Sequence, residues 1–517
     1  MPVAQNIPAA TLVSIVGSRS SGAGVVDDAG SCIIVMKRAK HAIDAHVRRR
    51  LPPPDILLRI AFCIDDAPSL FSFLDALGTP DARGPLEPLW LLRTTTSDLS
   101  RLWPTLHLDD DGVVPIPRAC LEPIAKYYRH VIIRGAFDFA WLRRHLHPTA
   151  TTIDWRFMPT DDARLSTSLA AWYDTWATFP ITHVQMAGAA SIDALVRVLP
   201  ALRHRLVRLD LQHTRCTSRD DITAFLATAT QVTDVTLHNV HDSRHGRVYT
   251  ARMLRDLVQW CKGLTSKTDA PQRFRLGECY FSEPRPSTDR AASTDTAAKT
   301  EFFATLFSTL TTLHLTAVDL HAFDFTTTTF TMDALTLDQC QLSSTHVDQL
   351  SRVVTSRVRH LALRGLTLVC GDEAHTSLTR LWHAVAEVVT SLDMGKCVLQ
   401  RRGSRVSCPI DWAALAPLLR HMRRLERLQL DANGIDDAAA AAIAAAVERH
   451  ATLRSINLEA NDVGARGVLA LLNAKTRVRE IELGRSYEIA TDDGDMLHQV
   501  AARRGIRLGL SYSMNAF

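Results

Sequence analysis

Apolar residues recur along this chain in one short phrase, L-x-x-L-x-L-x-x-N-x-[IV], in which apolar and polar positions alternate. The phrase occupies residues 425–435 and returns 28 residues later at 453–463. Such alternation is typical of a strand. In the alanine-rich stretch between the two copies, Ile443 and Val447 stand at helical spacing, which predicts a helix. One copy therefore predicts a strand, a turn at the asparagine and a helix.

The apolar-x-apolar core of this phrase can be followed through most of the chain. From residue 131 onward, the steps between the first residues of successive copies run from 22 to 39 residues. A period in this range is typical of leucine-rich repeats. The residues that begin the copies are Leu106, Val131, Ile153, Val184, Leu209, Val235, Phe274, Leu313, Leu335, Leu361, Leu392, Leu428, Ile456, Ile481 and Leu508.

The repetition has a physical reason, because one strand and one helix cannot bury their apolar faces alone and must stack on neighbouring copies. The sequence therefore predicts an α/β fold, a leucine-rich-repeat solenoid over residues 103–517. Its parallel β-sheet should line the concave face of a horseshoe, and its helices should cover the convex face. Leu428, Ile456 and Ile481 should occupy adjacent rungs with their side chains pointing inward.

The turn position of the phrase carries a second prediction. Asn433 and Asn461 should satisfy backbone groups that the turn leaves unpaired, and Cys279, Cys340 and Cys397 occupy the same position in other copies. The ten cysteines of the chain form no C-x-x-C pair. Reduced, buried cysteines predict an intracellular protein, cytoplasmic or nuclear.

Two segments lack the repeat. Residues 1–50 have no sustained period and contain a glycine- and serine-rich piece, which predicts a flexible N-terminal arm. Residues 282–300 are rich in Ser, Thr, Pro, Asp and Arg, which predicts a disordered insertion on the surface. Neither a signal peptide nor a long uncharged apolar run is recognisable, so we expect no membrane partner.

Residues 51–92 form a third kind of segment. A Leu-Pro pair and an acidic residue precede an apolar helical face, and Asp66-Ala67-Pro68 breaks that helix before a second apolar run. This pattern resembles the F-box, and the whole chain resembles F-box/leucine-rich-repeat proteins with ribonuclease-inhibitor-like repeats. The residues that take the motif's places, and that the resemblance implies bind an adaptor, are Leu51, Pro52, Asp55, Ile56, Ile60 and Leu70.

The resemblance implies a protein-interaction receptor, the substrate-recognition subunit of an SCF-type cullin-RING ubiquitin ligase. The F-box-like helical unit would bind a Skp-family adaptor, and the repeats would bind an unknown protein target. The alternative is a leucine-rich-repeat scaffold or inhibitor with no ubiquitin role. In that case residues 51–92 would only cap the open edge of the first repeat.

Candidate chemistry changes this picture little. The chain contains no H-E-x-x-H, no G-x-S-x-G and no G-x-G-x-x-G followed by an acid, so we expect no enzymatic activity, no cofactor and no metal site. A formal net charge of +4 over 517 residues gives no basis for nucleic-acid binding.

Function should instead lie on the concave sheet, where the residues between the core positions face solvent. These positions are basic in the middle of the chain and mostly acidic near its end, which suits a protein partner of complementary charge. The alternative is that they are ordinary solvated strand residues. The predicted partner-binding residues are Arg208, Arg273, Arg275, Arg364, Asp431, Asn457, Glu459, Glu480 and Glu482.

Overall fold

The structure is a computed structural model of the chain. It describes residues 53–94, 96, 98–109, 118–163, 165–264, 271–281, 289–321, 323–354, 357–400, 407–408, 410–485, 489 and 491–511. The arm predicted at 1–50 and the Leu-Pro pair at 51–52 lie outside these residues.

One parallel sheet of fifteen strands runs through the described part of the chain. In this sheet the strands follow one another in space as they do in the sequence, and only short side strands are skipped. The strands are β1 (Leu106–Asp109), β2 (His130–Arg134), β3 (Thr152–Arg156), β4 (Ile181–Ala187), β5 (Arg208–Gln212), β6 (Arg215–Cys216), β7 (Asp234–His238), β8 (His241–Asp242), β9 (Val248–Tyr249), β10 (Arg273–Gly277), β11 (Tyr280–Phe281), β12 (Thr312–Thr316), β13 (Ala334–Asp338), β14 (His360–Arg364), β15 (Thr367–Val369), β16 (Ser391–Asp393), β17 (Val398–Gln400), β18 (Ser407–Cys408), β19 (Arg427–Gln429), β20 (Ser455–Asn457), β21 (Glu480–Arg485) and β22 (Arg507–Ser511).

Helices connect most of the rungs on the other side of the sheet. The α-helices are α1 (Pro54–Ala61), α2 (Ala67–Leu77), α3 (Pro80–Arg83), α4 (Glu87–Leu92), α5 (Arg118–Ala125), α6 (Phe139–His145), α7 (Leu169–Trp176), α8 (Asp193–Val198), α9 (Arg219–Thr228), α10 (Ala251–Leu264), α11 (Asp289–Thr309), α12 (Ser344–Val353), α13 (Asp372–Val385), α14 (Trp412–Leu415), α15 (Asp437–Val447), α16 (Ala465–Asn473) and α17 (Thr491–Arg504). Short 3-10 helices lie at Gly84–Leu86, Leu99–Arg101, Leu199–Leu202, Phe325–Thr327 and Ala416–His421.

The strand registers confirm the predicted repeat. Leu428 pairs with Ile456, and Ile456 pairs with Ile481, in parallel register. All three side chains are buried. The apolar positions of successive copies therefore form continuous rows inside a leucine-rich-repeat solenoid, with the parallel sheet on its concave face and the helices on its convex face.

A row of polar side chains closes the turns, as the sequence predicts for the asparagines. Asn433 Nδ2 donates to the carbonyl of Met394 at 2.9 Å, and Asn433 Oδ1 accepts from the backbone N–H of Cys397 at 2.8 Å. Asn461 Nδ2 donates in the same way to the carbonyl of Leu430. The Cys397 thiol donates to Leu363 O at 3.1 Å, so a thiol replaces the amide donor there.

A second row lies at the strand ends, where one residue per repeat has a left-handed backbone. Each member stands four residues after the apolar residue that begins its copy, and Ala432, four residues after Leu428, is an example, with a φ of 52°. Its N–H donates to Glu459 O at 2.8 Å and so extends the ladder beyond the strand. The other members are Gly135, Phe157, Gly188, His213, Asn239, Glu278, Ala317, Gln339, Gly365, Lys396 and Ala460.

The N-terminal helices share one apolar core with the first repeats. The buried ring of Trp103 packs against the tilted ring of Phe62 with 4.6 Å between ring centroids, and its Nε1 donates to Ile64 O at 2.7 Å. Tyr128, just before β2, packs on the same pair and donates through its hydroxyl to Leu102 O at 2.7 Å. The helices thus cover the open edge of the sheet beside β1.

The segment predicted to be disordered differs from that expectation in part. Residues 289–300 form the first half of α11, whereas 282–288 lie outside the described residues. The second half of α11 buries Phe302, Phe303 and Leu306 in the core, which holds the helix in place. Among the described residues, no helix is both long and apolar enough to cross a bilayer.

Candidate functional site

The first helix of the N-terminal unit presents apolar side chains to solvent. In α1, Leu57 and Leu58 are buried, whereas Ile56 and Ile60 are 47% and 37% exposed. Positions four residues apart lie on one face of a helix, so the two isoleucines form an apolar strip on the outside of α1. Asp55 is exposed in the first turn of the same helix, where its negative charge favours the helix N-terminus.

The structure corrects one member of the predicted adaptor-binding set, Leu70. This residue lies in α2 between the cap made by Asp66, which accepts from Ser69 N at 2.8 Å, and the buried pair Phe71 and Leu74. Its own side chain is completely buried, so it packs inside the helical unit and offers no surface to a partner. The prediction for Leu70 as a contact is therefore wrong.

Leu91 is a surface residue that the sequence analysis missed. It lies in α4 and is 47% exposed, although Leu89 and Leu92 of the same short helix are buried. Three of the large apolar side chains that the described residues expose, Ile56, Ile60 and Leu91, thus belong to the N-terminal unit. The irregular spacing of Leu and Pro at 85–92 gives no periodic signal from which that exposure could be predicted.

The middle of the concave face presents two exposed arginines on one strand. Arg273 and Arg275 alternate with the buried Phe274 and Leu276 along β10, so both guanidinium groups face solvent. Among the described residues, neither forms an ion pair or a side-chain hydrogen bond, and their neighbours on β12 are Thr312 and His314. On the other side, Asp234 of β7 lies in register with Arg273. These two arginines are the predicted concave residues most available to an anionic partner.

Arg208 is predicted to be equivalent to them, but the structure pairs it with acids. Its Nη2 lies 3.0 Å from Asp210 Oδ2 on the same strand, and its Nε lies 3.8 Å from Asp234 Oδ2 on β7. Asp210 is itself buried. Arg208 therefore serves first to neutralise two carboxylates of the sheet.

Arg364 and Asp431 are bound to each other within the chain. Arg364 Nη2 lies 2.7 Å from Asp431 Oδ2, and its Nη1 lies 2.8 Å from both oxygens of Asp393. All three side chains are mostly buried. Gly395 makes room for the cluster, since a Cβ there would collide with Asp431. Arg364 and Asp431, both predicted to bind a partner, therefore already neutralise one another within the chain.

Burial and charge oppose one another in this cluster. Burial disfavours the charged Arg364 guanidinium, but its hydrogen bonds with Asp431 and Asp393 prevail and raise its pKa. Burial likewise raises the pKa of Asp393, and the hydrogen bonds from Arg364 and the Gly395 N–H only partly offset it. The hydrogen bonds from Arg364 therefore oppose the effect of burial on the pKa of Asp393.

The last rungs carry the acidic end of the concave face. Glu480 and Glu482 of β21 are half-buried and contact Arg507 of β22, with Glu482 Oε1 3.1 Å from its Nη2. Glu459 is exposed, and Asn457 Oδ1 accepts from the N–H of Glu459 at 2.8 Å. The acidic column predicted from the sequence is present, but Arg507 neutralises part of it.

Comparison by sequence finds no relative. No protein-family model matches this chain, and a search of curated proteins finds no similar sequence.

Comparison by structure finds solenoids of low similarity. The Rad7 and Elc1 complex in yeast matches over 93% of this chain and 98% of that chain, at 10% identity and a TM-score of 0.38. TLR13 in its complex with ssRNA13 matches over 75% of this chain at 11% identity and a TM-score of 0.37, and the match spans 57% of the TLR13 chain. The assignment of the fold rests on the strand registers and repeated turns of this chain itself.

Proposed function

We propose that this protein is a protein-interaction receptor, the substrate-recognition subunit of an SCF-type cullin-RING ubiquitin ligase. In this proposal the N-terminal helices bind a Skp-family adaptor, and the concave face binds a protein target. The observation that supports it is the exposed strip of Ile56 and Ile60 on α1. Exposure of these apolar side chains to water contributes no free energy to folding, whereas a bound adaptor would bury them.

The chain would contribute no bond-making chemistry in this role. Its repeats would hold the target near a transfer enzyme carried by the other ligase subunits, so that proximity supplies the rate enhancement. Arg273 and Arg275 favour a target with an acidic segment, because opposite charge raises the association rate and excludes basic competitors.

The apolar strip can be tested with a double variant, Ile56→Asp with Ile60→Asp. Both side chains are already exposed, so the fold should persist. Burial of an isoleucine contributes about 1.5–3 kcal/mol, so loss of both contacts should reduce capture of a Skp-family adaptor by at least ~100-fold. The measurement is a pull-down of the purified adaptor with the full chain, together with circular dichroism of the variant.

A matched control is available on the repeats. Val369 of β15 is 56% exposed and lies far along the chain from α1, so Val369→Asp should leave adaptor capture unchanged. Wild-type chain that does not retain the adaptor would contradict the ligase proposal outright. Equal loss in both variants would show that charge on any apolar surface disturbs capture.

The second candidate function is a scaffold or inhibitor without a ubiquitin role. It is favoured by the shared core of Phe62, Trp103 and Tyr128, which makes the N-terminal helices a cover for the first rung. A cap of this kind would exist whether or not an adaptor binds. Failure of the wild-type pull-down, with a folded and stable chain, is the outcome that selects this candidate.

A further inference from the structure

Three side chains that can ligate a metal meet at the carboxyl ends of three adjacent strands. His213 follows β5, His238 ends β7 and Glu278 follows β10. Each offers one ligand atom, and these atoms all lie within 4.8 Å of one another. We propose that His213, His238 and Glu278 form a binding site for a divalent transition-metal ion of the zinc class.

The distances suit a small change of side-chain angle on binding. His238 Nε2 lies 3.6 Å from Glu278 Oε1, and two ligands of one tetrahedral zinc ion are roughly 3.3 Å apart. The rings of His213 and His238 meet edge to face with 5.0 Å between their centroids. Two imidazoles and one carboxylate are a ligand set that zinc accepts with a fourth position left open.

The backbone brings these residues together through the repeated turn. His213 and Glu278 are members of the left-handed row, with φ values of 53° and 50°. His213 N–H donates to His238 O at 2.8 Å, which fixes the first two ligands on neighbouring rungs. The three residues therefore stand on a rigid part of the solenoid, as a preorganised site requires.

The glycine at position 277 is a second observation that supports the site, because it leaves space for the His238 ring. A Cβ at Gly277 would collide with the His238 ring, and the glycine has no positive φ that would require it there. Because Gly277 has no side chain, the His238 imidazole can lie across β10 toward Glu278. A larger residue would push His238 away from the other two ligands.

Two further contacts orient the ligands. Asn239 Nδ2 lies 3.1 Å from His213 Nδ1, and this contact fixes the orientation of the His213 ring. Arg247 Nη1 lies 3.3 Å from Glu278 Oε2, which leaves Oε1 facing His238. The fourth position of the ion would be filled by water or by a side chain of a bound protein.

The experiment uses the full chain without a histidine tag. Binding of Zn²⁺ alone is measured by calorimetry, and binding of Co²⁺ is measured by its visible absorption. The wild type should take up one ion at this site, and the Co²⁺ spectrum should lack the thiolate charge-transfer band that a cysteine site would give. His238→Ala and Glu278→Gln should each weaken affinity by roughly 100-fold or more, since even supporting residues contribute 10- to 100-fold.

His360→Ala is the matched control, because His360 is an exposed histidine of the same sheet on β14. It should bind Zn²⁺ like the wild type. Gly277→Ala, which leaves every ligand in the chain, should also weaken binding. Equal Zn²⁺ affinity in the wild type and in His238→Ala, or a thiolate spectrum with Co²⁺, would overturn the proposal.

Discussion

At the scale of single residues, the charged positions of the sheet divide into those that form ion pairs between strands and those that form none with the described residues. Arg364 belongs to the first kind, since it joins Asp393 and Asp431 across three strands. Arg275 belongs to the second kind, since it projects from β10 and forms no ion pair with the described residues. The same residue type thus has opposite consequences at two sites on one face.

Arg364→Leu should therefore be severely destabilising. Removal of one partner from a buried ion cluster costs about 3–5 kcal/mol, because the remaining charges stay buried without compensation. Urea denaturation at neutral pH measures the loss. Arg275→Leu is the matched control and should change stability by no more than about 0.5 kcal/mol. Similar losses of stability in Arg364→Leu and Arg275→Leu would contradict this distinction between paired and unpaired arginines.

The pH dependence of that loss has a definite sign. Burial raises the pKa of Asp393, so its protonated form is favoured in the folded state. A raised carboxyl pKa contributes stability only at low pH, below the ordinary value of about 4, and the contribution is lost as the pH rises. The loss of unfolding free energy caused by Arg364→Leu should consequently be small in acid, and it should grow as the pH rises above about 4.

At the scale of elements, the repeated turn defines each rung. Most members of the left-handed row are not glycines, and Ala432 is one of them. A left-handed residue with a Cβ is strained by about 1–2 kcal/mol. The chain tolerates this strain at many copies because the turn N–H continues the ladder to the next rung.

Ala432→Gly should thus stabilise the protein by roughly 1 kcal/mol, although glycine usually destabilises a folded protein relative to alanine. Ala441→Gly, at an exposed position in the middle of α15, should destabilise it by about 1 kcal/mol. Thermal denaturation of the two single variants measures both changes. Loss of stability in both would show that the turn is not strained at Ala432.

The sequence predicts the elements well and the charged site poorly. Leu428 and Asn433 could be placed because a side-chain period of two and a repeat of the same phrase determine which face each takes. The ion pair of Arg364 with Asp431 could not be predicted, since Asp431 lies 67 residues away in the sequence. Only the register of β14, β16 and β19 brings the two residues together. Leu70 was misplaced because a motif position does not say which side of a helix is covered.

At the scale of the whole molecule, the N-terminal helices and the solenoid form one continuous interior. Trp103 is one residue that joins them, through Phe62 and the carbonyl of Ile64. Contacts in a solenoid otherwise reach only neighbouring repeats. A disturbance at Trp103 should accordingly stay local, yet it should include both the helices and the first rungs.

Trp103→Ala should remove about 3–5 kcal/mol of local stability. Hydrogen exchange should then speed up in α1, α2, β1 and β2 together, and remain unchanged in distant repeats. Trp412→Ala, which empties a buried site at α14, is the matched control and should affect the rungs of β16 and β19 instead. Protection of α1 and α2 that survives Trp103→Ala would show that the helices fold independently.

The left-handed row has a broader implication for how this chain can vary. Repeats of 22 and 39 residues supply interchangeable rungs, because in the copies that begin at Val131 through Ile456 the left-handed residue falls four positions after that apolar residue. Length differences are absorbed on the outer side of the horseshoe. Insertions could therefore accumulate on its back over generations while the inner surface kept its spacing, so that regulation and recognition could evolve separately within one chain.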